Sequence, residues 1–149
     1  MHWTAYLSAL LTPTVAAVGL YLAWRQAATA RNKLKFDLFS RRFSVYDAAR
    51  TFIATVVIKG EAIDDAFNAF VAGTREARWL FDEPLDAYLR KELDQKATEL
   101  QCLNDQMAGL SAGEELTAKG SQRIEIKKWF YAQHDVLEAK CHPFLKLEH

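Results

Sequence analysis

The chain has 149 residues, half of them hydrophobic, with 3 prolines, 6 glycines and a formal net charge of zero. That is about one domain's worth of chain, too apolar to be disordered and poor enough in Pro and Gly to favour helices. The zero hides an asymmetry: the stretch Arg25–Arg50 holds seven of the 19 basic residues but only Asp37 and Asp47 of the 19 acidic ones, leaving 12 basic against 17 acidic from Thr51 onward. A basic segment ahead of an acidic body points to an anionic surface near one end.

Trp3 to Trp24 is a run of 22 residues without a charge. At 1.5 Å per residue it reaches about 33 Å, enough for a hydrocarbon core of about 30 Å. Trp3 and Tyr6 would mark one interface and Tyr21 and Trp24 the other, since their rings are apolar and their polar tips stay wet. This predicts a transmembrane helix over 3–24. Only His2 precedes it, whereas Arg25, Arg31, Lys33 and Lys35 follow closely. The positive-inside rule then puts the N-terminus outside and the rest of the chain in the cytoplasm. Ala28-Thr29-Ala30 resembles a signal-peptidase site, but the basic n-region is missing, the apolar run is too long, and Arg25 intervenes.

On a helical wheel Thr4, Ser8, Thr12, Ala16, Gly19 and Ala23 share one arc of about 120°. Small residues at such spacing let backbones approach closely, and hydroxyls can bond across the contact. The stripe is a candidate seam for a homo-oligomer or pore. Pro13 is expected to bend the helix and shift the phase of the stripe.

Residues 25–60 read as a basic and aromatic juxtamembrane helical segment. Phe39, Phe43, Tyr46, Arg50, Ile53 and Val57 recur at helical spacing, widened by Leu38, Val45, Phe52 and Val56, and Lys59-Gly60 is a helix stop. Residues 61–146 read as a cytoplasmic helical bundle. Its first helix, Glu61 to Ala72, turns Ile63, Phe67, Phe70 and Val71 inward. Gly73 interrupts, and a turn or two carries Trp79, Leu80 and Phe81. Asp82-Glu83-Pro84 restarts a helix, with an acid to cap it and proline in its first turn. That helix runs to Leu110 on Leu85, Leu89, Leu93, Leu100, Leu103 and Met107. Ser111 with Glu114 forms a capping box for the last helix, which reaches about Ala139 with Leu116, Ile126, Phe130 and Leu137 inward and stops at Pro143. The last two long helices form an antiparallel hairpin. The fold expected is all-α: an N-terminal span, then a helical bundle. Leu147-Glu148-His149 resembles a purification-tag remnant.

Residues arranged for chemistry are few. No phosphate-cradling glycine loop, zinc-ligand motif or nucleophile elbow occurs. Cys102 and Cys141 are far apart and read as ordinary buried thiols in a reduced compartment. His134 has Glu138 four residues on, but no nucleophile or second ligand. Asp64-Asp65 and Glu114-Glu115 sit at helix starts, where the dipole stabilises acids. No enzyme, cofactor or metal is expected. Arg25, Arg31, Lys33, Lys35, Arg41 and Arg42 are candidate lipid-headgroup contacts, at about 1 kcal/mol each near an anionic surface. Two other readings, single-stranded nucleic acid interleaved with Phe36, Phe39 and Phe43 and the mouth of an oligomeric pore, rank behind it, because topology already requires the charges.

The uncharged span followed by TARNKLKFDLFSRRFSVYDAAR, GTREARWLF and KKWFYAQHDVLEAKCHPFLKL resembles a set of small bacterial single-span membrane proteins to which no activity is attached. The architecture is also similar to pore-forming membrane proteins that accompany RNA-guided antiviral systems. That likeness implies assembly in the membrane and a part in antiviral defence. The Arg-x(4–6)-His ribonuclease pattern of such helical domains is absent, since no arginine lies at 127–129 or 135–137. The expected function is a homo-oligomeric inner-membrane protein that forms a pore or perturbs the membrane. The alternative is a membrane-tethered adaptor whose bundle binds a cytoplasmic protein partner through aromatics around Phe36–Tyr46 or Trp79–Phe81.

Overall fold

The computed structural model describes residues 3–62, 64–110 and 113–146, with side chains described from Val15 onward. It is all-helical, with no strand among the described residues. Helix α1 spans Trp3–Lys59 without a break. The chain divides after Leu38 into two compact units.

In the first unit every residue from Val15 to Leu38 is exposed. Among the described residues no helix is long and apolar enough to cross a membrane. The part of the uncharged run whose side chains are described, Val15–Trp24, amounts to about 15 Å at 1.5 Å per residue. The side chains of 3–14, Pro13 among them, lie outside the description.

The second unit is a helical bundle. From α1 it takes Val45, Ala49, Phe52, Ile53 and Val56, all buried. Their spacing of three and four lines up one stripe of the helix. Lys59-Gly60 ends α1 as read from the sequence. Gly60 has φ +73°, and its N–H donates to Val56 O at 2.8 Å, a left-handed cap that costs most other residues about 1 kcal/mol. Helix α2 (Asp64–Gly73) contributes Phe70, which stacks on Phe52 with ring centroids 4.7 Å apart. Phe52 also meets the edge of Phe130 at 6.0 Å, so one ring joins three helices. Short α3 (Ala77–Leu80) buries Ala77.

Helix α4 (Glu83–Ala87) starts where the sequence placed it. Asp82 accepts a hydrogen bond from Leu85 N at 3.2 Å, and Pro84 stands in the first turn. It leads through a π-helical turn, Tyr88–Leu93, into α5 (Asp94–Ala108). The wide turn answers a mismatch in the sequence. Leu85, Leu89, Leu93 and Ala97 are all buried at intervals of four. In an α-helix each such step drifts by about 40°, so three steps would carry the row about 120° off the core. A turn that closes i to i+5 holds more residues and cancels the drift. It also buries Tyr88 between Leu85 and Leu89.

Helix α6 (Glu114–Cys141) packs on α5 as the expected hairpin and ends before Pro143 in a 3₁₀ turn, His142–Phe144. It buries Ile126, Phe130 and Leu137, and also Gln133 and Cys141. Four sequence expectations are corrected. Leu38, Phe43 and Val71 are exposed: Leu38 lies in the first unit, and Phe43 and Val71 stand to the side of the residues their helices bury. Leu116 is only half-buried, near the open start of α6. Ile63 and the Ser111 cap lie outside the described residues, as do residues 147–149.

Candidate functional site

In the first unit the described part of the uncharged run presents an apolar surface in every direction around the axis. Val15, Val18, Leu20, Tyr21 and Trp24 are all more than half exposed. A water-facing helix of this kind leaves unfavourable apolar surface at about 25 cal/mol per Å². The apolar surface stops at a basic collar. Arg25, Arg31, Lys33 and Lys35 are all exposed on the same helix, interleaved with exposed Leu34 and Phe36.

Of the candidate seam, Thr4, Ser8 and Thr12 lie outside the described side chains. Ala16, Gly19 and Ala23 are exposed, and a Cβ on Gly19 would meet nothing within 4 Å. The described half of the stripe is therefore open to an approaching helix.

Arg41 and Arg42 belong to the second unit and behave differently. Arg41 is exposed and 3.6 Å from Glu76. Arg42 turns into the bundle: its Nε donates to Leu80 O at 3.0 Å, one terminal nitrogen donates to Phe144 O at 3.2 Å, and its guanidinium lies 5.6 Å from the Phe144 ring centroid. It ties the end of α3 to the C-terminal 3₁₀ turn. Arg42 is thus half-buried and engaged with two carbonyls, unlike the exposed residues of the collar.

The residues able to do chemistry are scattered. His134 is half-buried, Glu138 is exposed, and no bond joins them. Asp64 accepts a hydrogen bond from Gln101 on α5. Among the described residues no three His, Cys, Asp or Glu side chains come together as metal ligands. Cys102 is exposed. Cys141 is buried, and burial pushes its thiol up to about 11.

Two features were not legible in the sequence. Tyr88, fully buried, donates its hydroxyl to Gln133 Oε1 at 2.9 Å, and Gln133 Nε2 donates to Trp129 O at 3.2 Å. Burial first, then the nearby Glu92 and Cys141, raises the Tyr88 pKa far above its ordinary value. The second is a pair of concavities. One is a groove of about 950 Å³ between α5 and α6, from Leu103 to Trp129. The other is a hollow of about 640 Å³ where the end of α2, the turn into α3 and the π-helical turn meet, lined by Arg75, Arg78 and Arg90.

No protein-family model, curated protein or solved structure matches this chain.

Proposed function

We propose that the chain is a single-pass inner-membrane protein, N-terminus outside and helical domain in the cytoplasm, that acts by homo-oligomeric assembly. The observation that carries this is the surface of α1 over Val15–Trp24: apolar on all sides, exposed throughout, and followed at once by a basic collar. A helix that is hydrophobic all round needs an apolar environment, either a protein core or lipid. Its own unit offers no covering partner among the described residues. Together with the uncharged residues before it, the run has the length of a bilayer core.

Assembly follows from the seam. One span cannot enclose a channel, so a pore requires several copies, packed through Thr4, Ser8, Thr12, Ala16, Gly19 and Ala23. The hydroxyls would then face neighbouring spans or a narrow lumen. With so few polar groups, the assembly suits a gated or membrane-perturbing pore better than a selective channel. The basic residues Arg25, Arg31, Lys33 and Lys35 meet anionic headgroups on the cytoplasmic face.

A second reading is a tethered adaptor. Trp79 is 75% exposed on α3, the kind of aromatic that anchors a protein interface. Replacing the span with an unrelated one separates the two. An adaptor keeps its function, while an assembly built on the seam loses it. Cross-linking in native membranes tests the leading reading directly: a discrete ladder ending at one oligomer is expected, and a clean monomer at native expression would refute it.

A further inference from the structure

The hollow beside α3 has a charge pattern the membrane reading does not use. Arg75 and Arg78 enter it from the α2–α3 turn and α3, and Arg90 from the π-helical turn. One acid, Asp94, lines the same hollow. Yet none of the three arginines makes an ion pair among the described residues. Arg90 and Asp94, four apart on one helix, stay unpaired where that spacing ordinarily favours contact. Three like charges around one concavity repel one another, and the rest of the domain is acidic. Such an arrangement is relieved by an anion that all three can reach.

The geometry of Arg78 fits that use. Its guanidinium lies 4.5 Å from the Trp79 ring centroid. Stacking engages one face of the plane and leaves the in-plane N–H fork free, which is the edge that meets phosphate oxygens. Asn68 lines the same hollow and adds an uncharged donor. Thr74 does not, since its hydroxyl already donates to Phe70 O at 2.8 Å. Phe70 and Leu89 give the hollow an apolar floor. Arg90 rides on a π-helical turn, a distortion that costs hydrogen-bond geometry and recurs at functional sites.

We infer that this hollow, on the juxtaposition of Arg75, Arg78 and Arg90 around it, is a binding site for a phosphate group. The phosphate belongs either to a soluble phosphorylated metabolite or to a lipid headgroup, and the chemistry of recognition is the same. The inference does not depend on the span crossing a bilayer.

The test uses the full chain in neutral detergent. Inorganic phosphate is titrated against chloride at constant ionic strength, read by ³¹P line broadening. Saturable binding is expected, weakened at least tenfold in Arg75→Gln/Arg90→Gln and unchanged in Arg123→Gln, a distant exposed arginine on α6. Arg90→Lys, which keeps the charge but loses the fork, should weaken binding by a smaller factor. The variants' melting temperatures without phosphate report folding. Competition by phosphatidylglycerol mixed into the micelles would assign the site to a headgroup, and its absence alongside phosphate binding to a soluble ligand. No saturable binding of either probe, or equal binding by the double variant when folded, would overturn the inference.

Discussion

Gly73→Ala is the sharpest test of the bundle's packing. Built onto the Gly73 backbone, a Cβ would lie 2.6 Å from the Cβ of Ala48 on α1. Carbon atoms prefer about 3.5–4.0 Å, so α1 and α2 must separate by roughly 1 Å at this point. Neither side can yield cheaply. The neighbours Ala49, Phe70 and Thr74 are all buried, and the methyl of Ala48 has no rotamer to change. Overpacking of this kind costs about 1–3 kcal/mol, and at Gly73, the last residue of α2, alanine regains only part of the roughly 1 kcal/mol advantage it has over glycine in a helix interior. A net loss of about 1–2 kcal/mol remains. For a domain of this size that lowers the melting temperature by roughly 4–12 °C. Ala48→Gly removes the opposing methyl, so the double variant should recover most of the loss, a coupling of about 1 kcal/mol or more. Thermal unfolding followed by circular dichroism, on the full chain in neutral detergent, measures all four corners of the cycle. A Gly73→Ala protein as stable as wild type, or no recovery in the double variant, would refute the close approach of α1 and α2.

Arg42→Ala should destabilise the bundle by about 1–3 kcal/mol, because it leaves the carbonyls of Leu80 and Phe144 without their charged donor, while Arg31→Ala on the exposed collar should leave the melting temperature unchanged. Alkaline pH should weaken the fold: Tyr88 and Cys141 both hold their protons more tightly folded than unfolded, so above the unfolded values of about 8.5 for a thiol and 10 for a phenol the unfolded state binds fewer protons and stability falls as pH rises. Tyr88→Phe should remove the phenol's share of that slope, read from melting temperatures between pH 8 and 11. A thiol reagent at pH 8 should label Cys102 at once and Cys141 only on unfolding. Prompt labelling of both would contradict the burial of Cys141.

Much of the bundle was legible in local chemistry. Lys59-Gly60 marks a helix end because glycine takes a positive φ at little cost, and Asp82-Glu83-Pro84 marks a start because the acid caps and the ring pre-sets φ. Phe70, Leu89, Leu93, Ile126, Phe130 and Leu137 face inward as their spacing implies. What failed to show depends on distant chain segments. The π-helical turn follows from which residues the other helices bury, and periodicity alone reads the same leucines as one regular helix. Arg42 looks like any member of a basic run until Leu80 and Phe144 are placed beside it. Gly73 reads as a helix breaker, while its contact with Ala48 is invisible along the chain. Likewise Arg75, Arg78 and Arg90 are scattered in a charge-balanced stretch, and only the fold sets them around one hollow. Of the span and its seam, the sequence carries the argument for 3–14, and the exposed surface of Val15–Trp24 carries it beyond.

The depth of Trp24 tests the central proposal most directly. The full chain is reconstituted in vesicles, and the Trp24 emission is taken as the difference between wild type and Trp24→Phe. Quenching by lipids brominated near the headgroup, with protection from aqueous iodide, is the result expected of a ring at the membrane interface. Strong iodide quenching with no effect of brominated lipid would place Trp24 in water and contradict the account.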